Sequence, residues 1–223
     1  MSMLRSFRGD ADMSKLRLSV CVPCRDMMHS AFAFDLLKLQ EYNQIIGLST
    51  IVHFHIGTLI VNQREQLVEL AKHAGSTHIL WLDSDMMFPA DVAQRLLKHS
   101  KPIVAANYAT RSYPHKTVAY QRLEGWEDYL VNTPGKGLEL IPVQAVGMGC
   151  MLTEMAVYDK MHKPVFNTTW FPELNDHIGE DFTFCKNARD LGYEILIDND
   201  ASLNVSHLGT FAFTQSMVKP PAG

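Results

Sequence analysis

Three short stretches hold the side chains best suited to chemistry. Asp83-Ser84-Asp85 ends the apolar run THILWL, Gly179-Glu180-Asp181 opens a helical pattern, and His207 lies in VSHLG. Two carboxylates one residue apart in a turn can both face a single hard cation, which takes oxygen ligands. At a helix start, carboxylates ordinarily cap the helix and complement its dipole. A lone histidine at a strand end is more often structural than ligating. Cys21 and Cys24 have the C-x-x-C spacing, but they straddle a strand end and no second pair supports zinc. Packing is their expected use.

The elements that must position these residues alternate. Residues 16–23 read as a buried strand, residues 34–46 as a helix and residues 49–57 as a second strand closed by glycine. Residues 62–75 are the best-marked helix, with Asn62 as cap, Glu65 three positions on as in a capping box, and Gly75 as stop. A third strand follows at 77–82, a helix from Pro89 to residue 100, and a fourth strand at 101–108. Such alternation predicts an α/β fold with a mostly parallel central sheet and flanking helices. Beyond Tyr108, Pro and Gly punctuation predicts loops and a smaller antiparallel extension. Residues 140–153 read as one long strand interrupted by Gly147 and Gly149, residues 180–192 as a helix, and YEILIDND and SLNVSHLG as closing strands. A single domain is expected over residues 16–215, between an amino-terminal extension (1–15) and a tail (216–223).

Bulk properties exclude several classes. The 223 residues suffice for a full-sized core, and 47% hydrophobic with 20% charged residues is ordinary globular composition. A net charge of −4 gives no global basic field for nucleic acid or anionic membrane. No apolar run reaches the length of a membrane span. The stretch MSMLRSFRGDADMSKLRLSV has scattered charges and no apolar centre, unlike a signal peptide. Four cysteines are too few for a disulfide framework in a chain of this size. Cytoplasmic residence is expected.

In parallel α/β sheets, ligands bind beyond the carboxyl ends of the strands, where Asp83 and Asp85 lie. A Walker-B role would need a GxxxxGK[ST] loop, which the chain lacks. An aspartyl-nucleophile phosphotransferase expects its acidic motif after the first strand, followed by Thr or Val; here two strands precede it and Met86 follows. The second apolar DxD, Asp198 and Asp200 in ILIDND, falls too late for a fold to be built after it. Taken in order, CVPCRD, NQREQLV, ILWLDSDMMFP, PIVAANY, AVGMGCML, GEDFTFCKNARDLGY and VSHLG resemble GT-A glycosyltransferases. The likeness is closest to small family-2-like enzymes of bacteria and bacteriophages, and it spans residues 16–209.

The resemblance implies transfer of a sugar from a nucleoside-diphosphate sugar to a hydroxyl acceptor, with inversion. A manganese ion, or magnesium in its place, would stabilise the departing diphosphate. Asp85, His207 and Asp83 would hold the metal, with Asp83 alternatively on the ribose. Pro23, Arg25, Asp26, Arg64 and Ser84 would lie along the nucleotide, and Gly147 and Gly149 would admit the sugar close to the backbone. Asp181 would be the general base, with Glu180 its near rival. Met86, Met87 and Phe88 would turn back beneath the later strands and stiffen the acidic turn. Residues 109–116, with Arg111, Tyr113, His115 and Lys116, would form a loop closing over the substrates. The acceptor class stays open between a hydroxylated base of phage DNA and a cell-surface glycan. Trp126 and Trp170 can stack on sugars, although core burial is the commoner use. A nucleotidyltransferase and a non-catalytic nucleotide-sugar-binding module are the rival readings.

Overall fold

A computed structural model of the chain describes residues 15–122, 128–135, 139–172 and 175–210. The first half forms β1 (Arg17–Cys24), α1 (Ser30–Ile45), β2 (Ser49–Ile56), α2 (Ile60–His73), β3 (His78–Leu82), β4 (Met86–Met87), α3 (Val92–Leu97) and β5 (Ile103–Ala105). Next come β6 (Ala119–Tyr120), β7 (Leu140–Val143), β8 (Ala145–Val146), β9 (Cys150–Glu154) and α4 (Met155–Lys160). The remainder forms β10 (Thr169–Phe171), β11 (Asp176–Ile178), α5 (Glu180–Asp190), β12 (Ile195–Asp198), α6 (Asn199–Ser202) and β13 (Ser206–His207).

Seven strands make the central sheet, in the order β2-β1-β3-β9-β5-β12-β7. Neighbours pair in parallel except around β9, which runs antiparallel between β3 and β5, and β7, which is antiparallel at the β12 edge. Strand periodicity builds a core on each face. Leu18, Val20, Val22, Leu80 and Leu82 point to one core, which is closed by Phe32, Leu36 and Leu39 of α1 and Leu96 of α3. Cys21, Ile79 and Trp81 point to the other, against Leu67 and Ala71 of α2 and Phe184 and Ala188 of α5. The mostly parallel α/β sheet, its flanking helices and the small antiparallel pairs β4–β13, β6–β8 and β10–β11 are the architecture expected from the sequence.

Local expectations needed correction where tertiary contacts prevailed. Helix α2 begins two residues before Asn62, with Leu59 at the cap position and no capping side chain. Glu65 accepts the Phe166 N–H (2.8 Å) instead of closing a capping box. Neighbouring Gln63 ties the helix start to the ends of β1 and β2 through the carbonyls of Cys24 (2.5 Å) and His55 (2.8 Å). Pro89 does not launch a helix directly, because α3 starts at Val92. The expected long strand at 140–153 is three short ones, bent at Gln144 and at Gly147-Met148-Gly149. SLNVSHLG is not mainly strand: α6 covers Asn199–Ser202, capped by Asp198 accepting the Ala201 N–H at 2.8 Å, and only Ser206–His207 pair.

All four cysteines are free and buried, consistent with packing roles for Cys21 and Cys24. Burial pushes both thiols up, away from the reactive thiolate. Trp170 is 49% exposed rather than core. Residues 1–14 and 211–223, which include the expected tail, and Trp126 lie outside the described residues. No helix among the described residues is long and apolar enough to cross a membrane.

Phe88 anchors the segment after the acidic turn. It is buried, meets Phe32 edge-on with ring centroids 5.8 Å apart, and its N–H reaches Asp35 Oδ2 at 3.3 Å. Phe88→Ala should lower the unfolding free energy by about 3–5 kcal/mol in urea titrations.

Candidate active site

The acidic turn is fixed by its backbone. Asp83 N–H donates to the Gly149 carbonyl (3.1 Å), and the Asp83 carbonyl accepts from Met86 N–H (3.1 Å). The Ser84 carbonyl accepts from His29 N–H (3.4 Å) and that of Asp85 from Leu208 N–H (2.7 Å). The hydrophobes behind the turn explain its position. Met86 and Phe88 are buried, whereas Met87, expected inside, is 38% exposed. Strand β4 pairs Met86 with His207 and Met87 with Ser206, which carries His207 to the side of Asp85.

Arg64 joins two motifs far apart in sequence. Its side chain is 2% exposed and donates Nη2 to Asp83 Oδ1 (3.1 Å) and Nε to Glu180 Oε1 (3.1 Å). Its guanidinium carbon lies 5.2 Å from the Trp81 ring centroid. Burial disfavours the cation, but Asp83, Glu180 and Asp181 outweigh that cost and hold it protonated. Arg64 was expected along the nucleotide; it lines neither cleft described below and acts as a strut under the acids.

The carboxylates are tuned apart. Burial raises Asp83 despite the pull of Arg64. Asp181 is pushed up to about 7, by burial first and by the charge of Glu180 second, against Arg64. Its Oδ1 accepts the Phe182 N–H (2.8 Å), and Gly179 leaves room for that carboxylate, since a Cβ there would lie 2.8 Å from Oδ1. Burial also acts to raise Asp85, but the hydrogen bond and charge of His207 together with Arg111 outweigh it and hold the carboxyl low.

Asp85 Oδ2 receives two neighbours, Arg111 Nη1 at 2.9 Å and His207 Nε2 at 3.4 Å. His207 Nδ1 faces the Ala109 carbonyl at 3.3 Å. The ring thus bridges the carbonyl of Ala109 and the carboxylate of Asp85, one nitrogen to each. No cluster of three His, Cys, Asp or Glu side chains able to cage a metal occurs among the described residues. Asp83, Asp85 and His207, expected together on a metal, do not form such a group; a cation taking Asp85 Oδ2 and His207 Nε2 would have to complete its shell with oxygens from outside the protein.

Tyr108 was missed in the sequence reading. Its buried hydroxyl accepts the Gly149 N–H (3.0 Å), and its ring meets His207 edge-on at 5.4 Å. A Cβ at Gly147 or Gly149 would lie 2.6 or 2.5 Å from that hydroxyl. These glycines, expected to make room for a sugar, make room for Tyr108. The available signal was position, because Tyr108 closes the run PIVAANY at a strand's carboxyl end.

Two clefts meet at the turn. A cleft of about 740 Å³ is lined by Pro23, Arg25, His29, Gln63 and Ser84. The other, of about 470 Å³, is lined by Tyr108, Tyr120, Gly147, Asp181 and His207. Asp83, Asp85 and Arg111 line both. Asp26 is exposed and lines neither. Glu180 is spent on Arg64, with a side chain 13% exposed, and Asp181 is the member of the acid pair that reaches the second cleft.

No protein-family model matches the chain, and no curated protein matches it. Among solved structures, A197 from STIV aligns over 93% of this chain and 100% of its own, with a TM-score of 0.54 at 11% identity. That likeness is one of fold. A glycosyltransferase involved in the glycosylation of the major capsid of PBCV-1 aligns over 88% of this chain and 94% of its own, with a TM-score of 0.44 at 11% identity.

Arg64→Met leaves Asp83 and Glu180 unpaired and should cost about 3–5 kcal/mol in denaturant melts. The pH dependence of Asp181 has a definite sign. Its carboxyl in the folded state lies above the unfolded value of about 4, so the protonated acid favours the fold, and that stability is lost as pH rises toward 7. Asp181→Asn removes the loss. Its melting temperature relative to wild type should be higher at pH 8 than at pH 5.

Proposed function

We propose that the chain is a metal-dependent glycosyltransferase that moves a sugar from a nucleoside-diphosphate sugar to a hydroxyl acceptor with inversion. The observation that carries this reading is the pair of clefts sharing one acidic wall, with Asp181 in the second. The donor's nucleotide would lie in the larger cleft along Pro23, Arg25 and Ser84, and its diphosphate would reach the shared wall. The acceptor would enter the smaller cleft, beside Asp181.

In the reaction, Asp181 takes the proton of the acceptor hydroxyl as that oxygen bonds to the anomeric carbon. The bond from that carbon to the diphosphate oxygen breaks, and its electron pair leaves with the nucleoside diphosphate. A carboxyl poised near neutral pH suits proton abstraction at physiological pH. Asp85 and His207 would hold manganese or magnesium. Such an ion, when bound, neutralises charge on the leaving diphosphate. Arg64 keeps Asp83 and Glu180 in place throughout.

Thr110, Ser112 and Tyr120 line the second cleft with hydroxyls that can hydrogen-bond a polar acceptor, such as a hydroxylated base in phage DNA. Exposed Trp170, edge-on to His177 with centroids 5.1 Å apart on the hairpin before Glu180, offers a stacking surface for a glycan.

Asp181→Asn should retain nucleotide-sugar affinity in calorimetry and lower kcat by about 10²–10⁴-fold. In the wild type, kcat/KM should climb as pH rises toward 7, and that limb should vanish in the variant. Survival of turnover there, with its loss in Glu180→Gln, would reassign the base. Released nucleoside diphosphate supports this reaction, whereas released pyrophosphate would indicate nucleotidyl transfer.

A further inference from the structure

The two arginines that touch the acidic turn, Arg64 and Arg111, sit in opposite surroundings. Arg64 is sealed and held by two carboxylates, while the Arg111 side chain is 53% exposed. It stands in residues 109–117, a segment closed on itself by the bridge between Ala109 and Thr117 and by Thr110 N–H donating to the Lys116 carbonyl at 2.7 Å. Its Nη1 reaches Asp85 Oδ2 at 2.9 Å and makes a longer contact to the Leu208 carbonyl at 3.4 Å.

Two further facts bear on what this guanidinium is for. It rests on the same carboxylate oxygen that His207 Nε2 faces, the place a cation held by Asp85 and His207 would take. It also lines both clefts, at the seam where the diphosphate of a bridging donor would lie. A guanidinium–carboxylate pair whose cation is half in solvent is weak and exchanges easily. A guanidinium meets phosphate oxygens through two parallel charge-assisted bonds, which are stronger.

We propose that Arg111 is a diphosphate ligand parked on Asp85. With the clefts empty it neutralises Asp85. When a diphosphate enters, Arg111 passes to the phosphate oxygens and releases Asp85 Oδ2 to the divalent cation. This assignment rests on the glycosyl-transfer reading and adds an order to it: cation and diphosphate bind cooperatively, because each removes Arg111 from the other's path.

Manganese binding tests this without turnover. Free Mn²⁺ is followed by electron paramagnetic resonance, with protein alone and with pyrophosphate, after subtraction of the Mn²⁺–pyrophosphate complex measured without protein. Wild type, Arg111→Gln and Arg111→Lys are compared once their melting curves agree. Wild type should bind Mn²⁺ weakly alone and distinctly better with pyrophosphate. Arg111→Gln should bind Mn²⁺ alone several-fold tighter, having lost its competitor. Its gain from pyrophosphate should fall by about tenfold or more, the loss expected for one charge-assisted hydrogen bond. Arg111→Lys, which keeps the charge but not the fork, should fall between. If Arg111→Gln matches wild type in both quantities, the assignment is overturned while the glycosyl-transfer reading stands. If wild type binds neither Mn²⁺ nor its pyrophosphate complex, both fall.

Discussion

One buried guanidinium organises this molecule's chemistry. Arg64 bonds Asp83 at the end of β3 and Glu180 at the start of α5, side chains from segments 19 and 116 residues away. Without it, two carboxylates would converge on a desolvated point beside a third, Asp181, and the sheet rim would repel itself. With it, three acids share one positive charge. The remaining negative excess helps keep Asp83 and Asp181 above ordinary carboxylate values even though Arg64 pulls both down. A structural ion pair thus also pulls on the acid facing the second cleft, whose carboxyl is raised first by burial and then by Glu180.

The antiparallel strand β9 supplies the second constraint. By entering between β3 and β5 it brings Gly147-Met148-Gly149 to the rim where the parallel strands end. Gly149 then accepts from Asp83 and donates to Tyr108, so its backbone links the acidic turn to the aromatic ring that supports His207. The same logic operates on the far side of the turn, where β4 and β13 pair across Met86 and His207. Asp85 is therefore held by backbone on both flanks, and its side chain is free to exchange partners.

Much of this was legible in the residues. Buried apolar strands alternating with helix patterns, α2 and α5 among them, identified a mostly parallel sheet flanked by helices, and apolar DSD placed an acidic turn at a strand end. What escaped was anything decided by contacts between distant segments. Asn62 looked like a cap because capping is local, but the start of α2 is set by Gln63 bonding the ends of two strands. The run at 140–153 looked like one strand because apolar periodicity does not show which sheet a segment joins. Arg64 looked like a nucleotide contact, since nothing in NQREQLV announces two carboxylates waiting above it. The glycines at 147 and 149 were rightly singled out as places of close approach. The group approaching is Tyr108, from 39 and 41 residues upstream.

The arrangement also bears on timing under the proposed reaction. An acid fixed near neutral pH by burial and by like charge responds to any new positive charge in its surroundings. A divalent ion at Asp85 would add positive charge to the wall of the cleft Asp181 lines and favour the ionised, proton-accepting form, while the diphosphate arriving with it, of opposite sign, would offset that pull. The coupling needs no moving part between the two groups. Asp85 and Asp181 line one cleft, and the field acts directly across it.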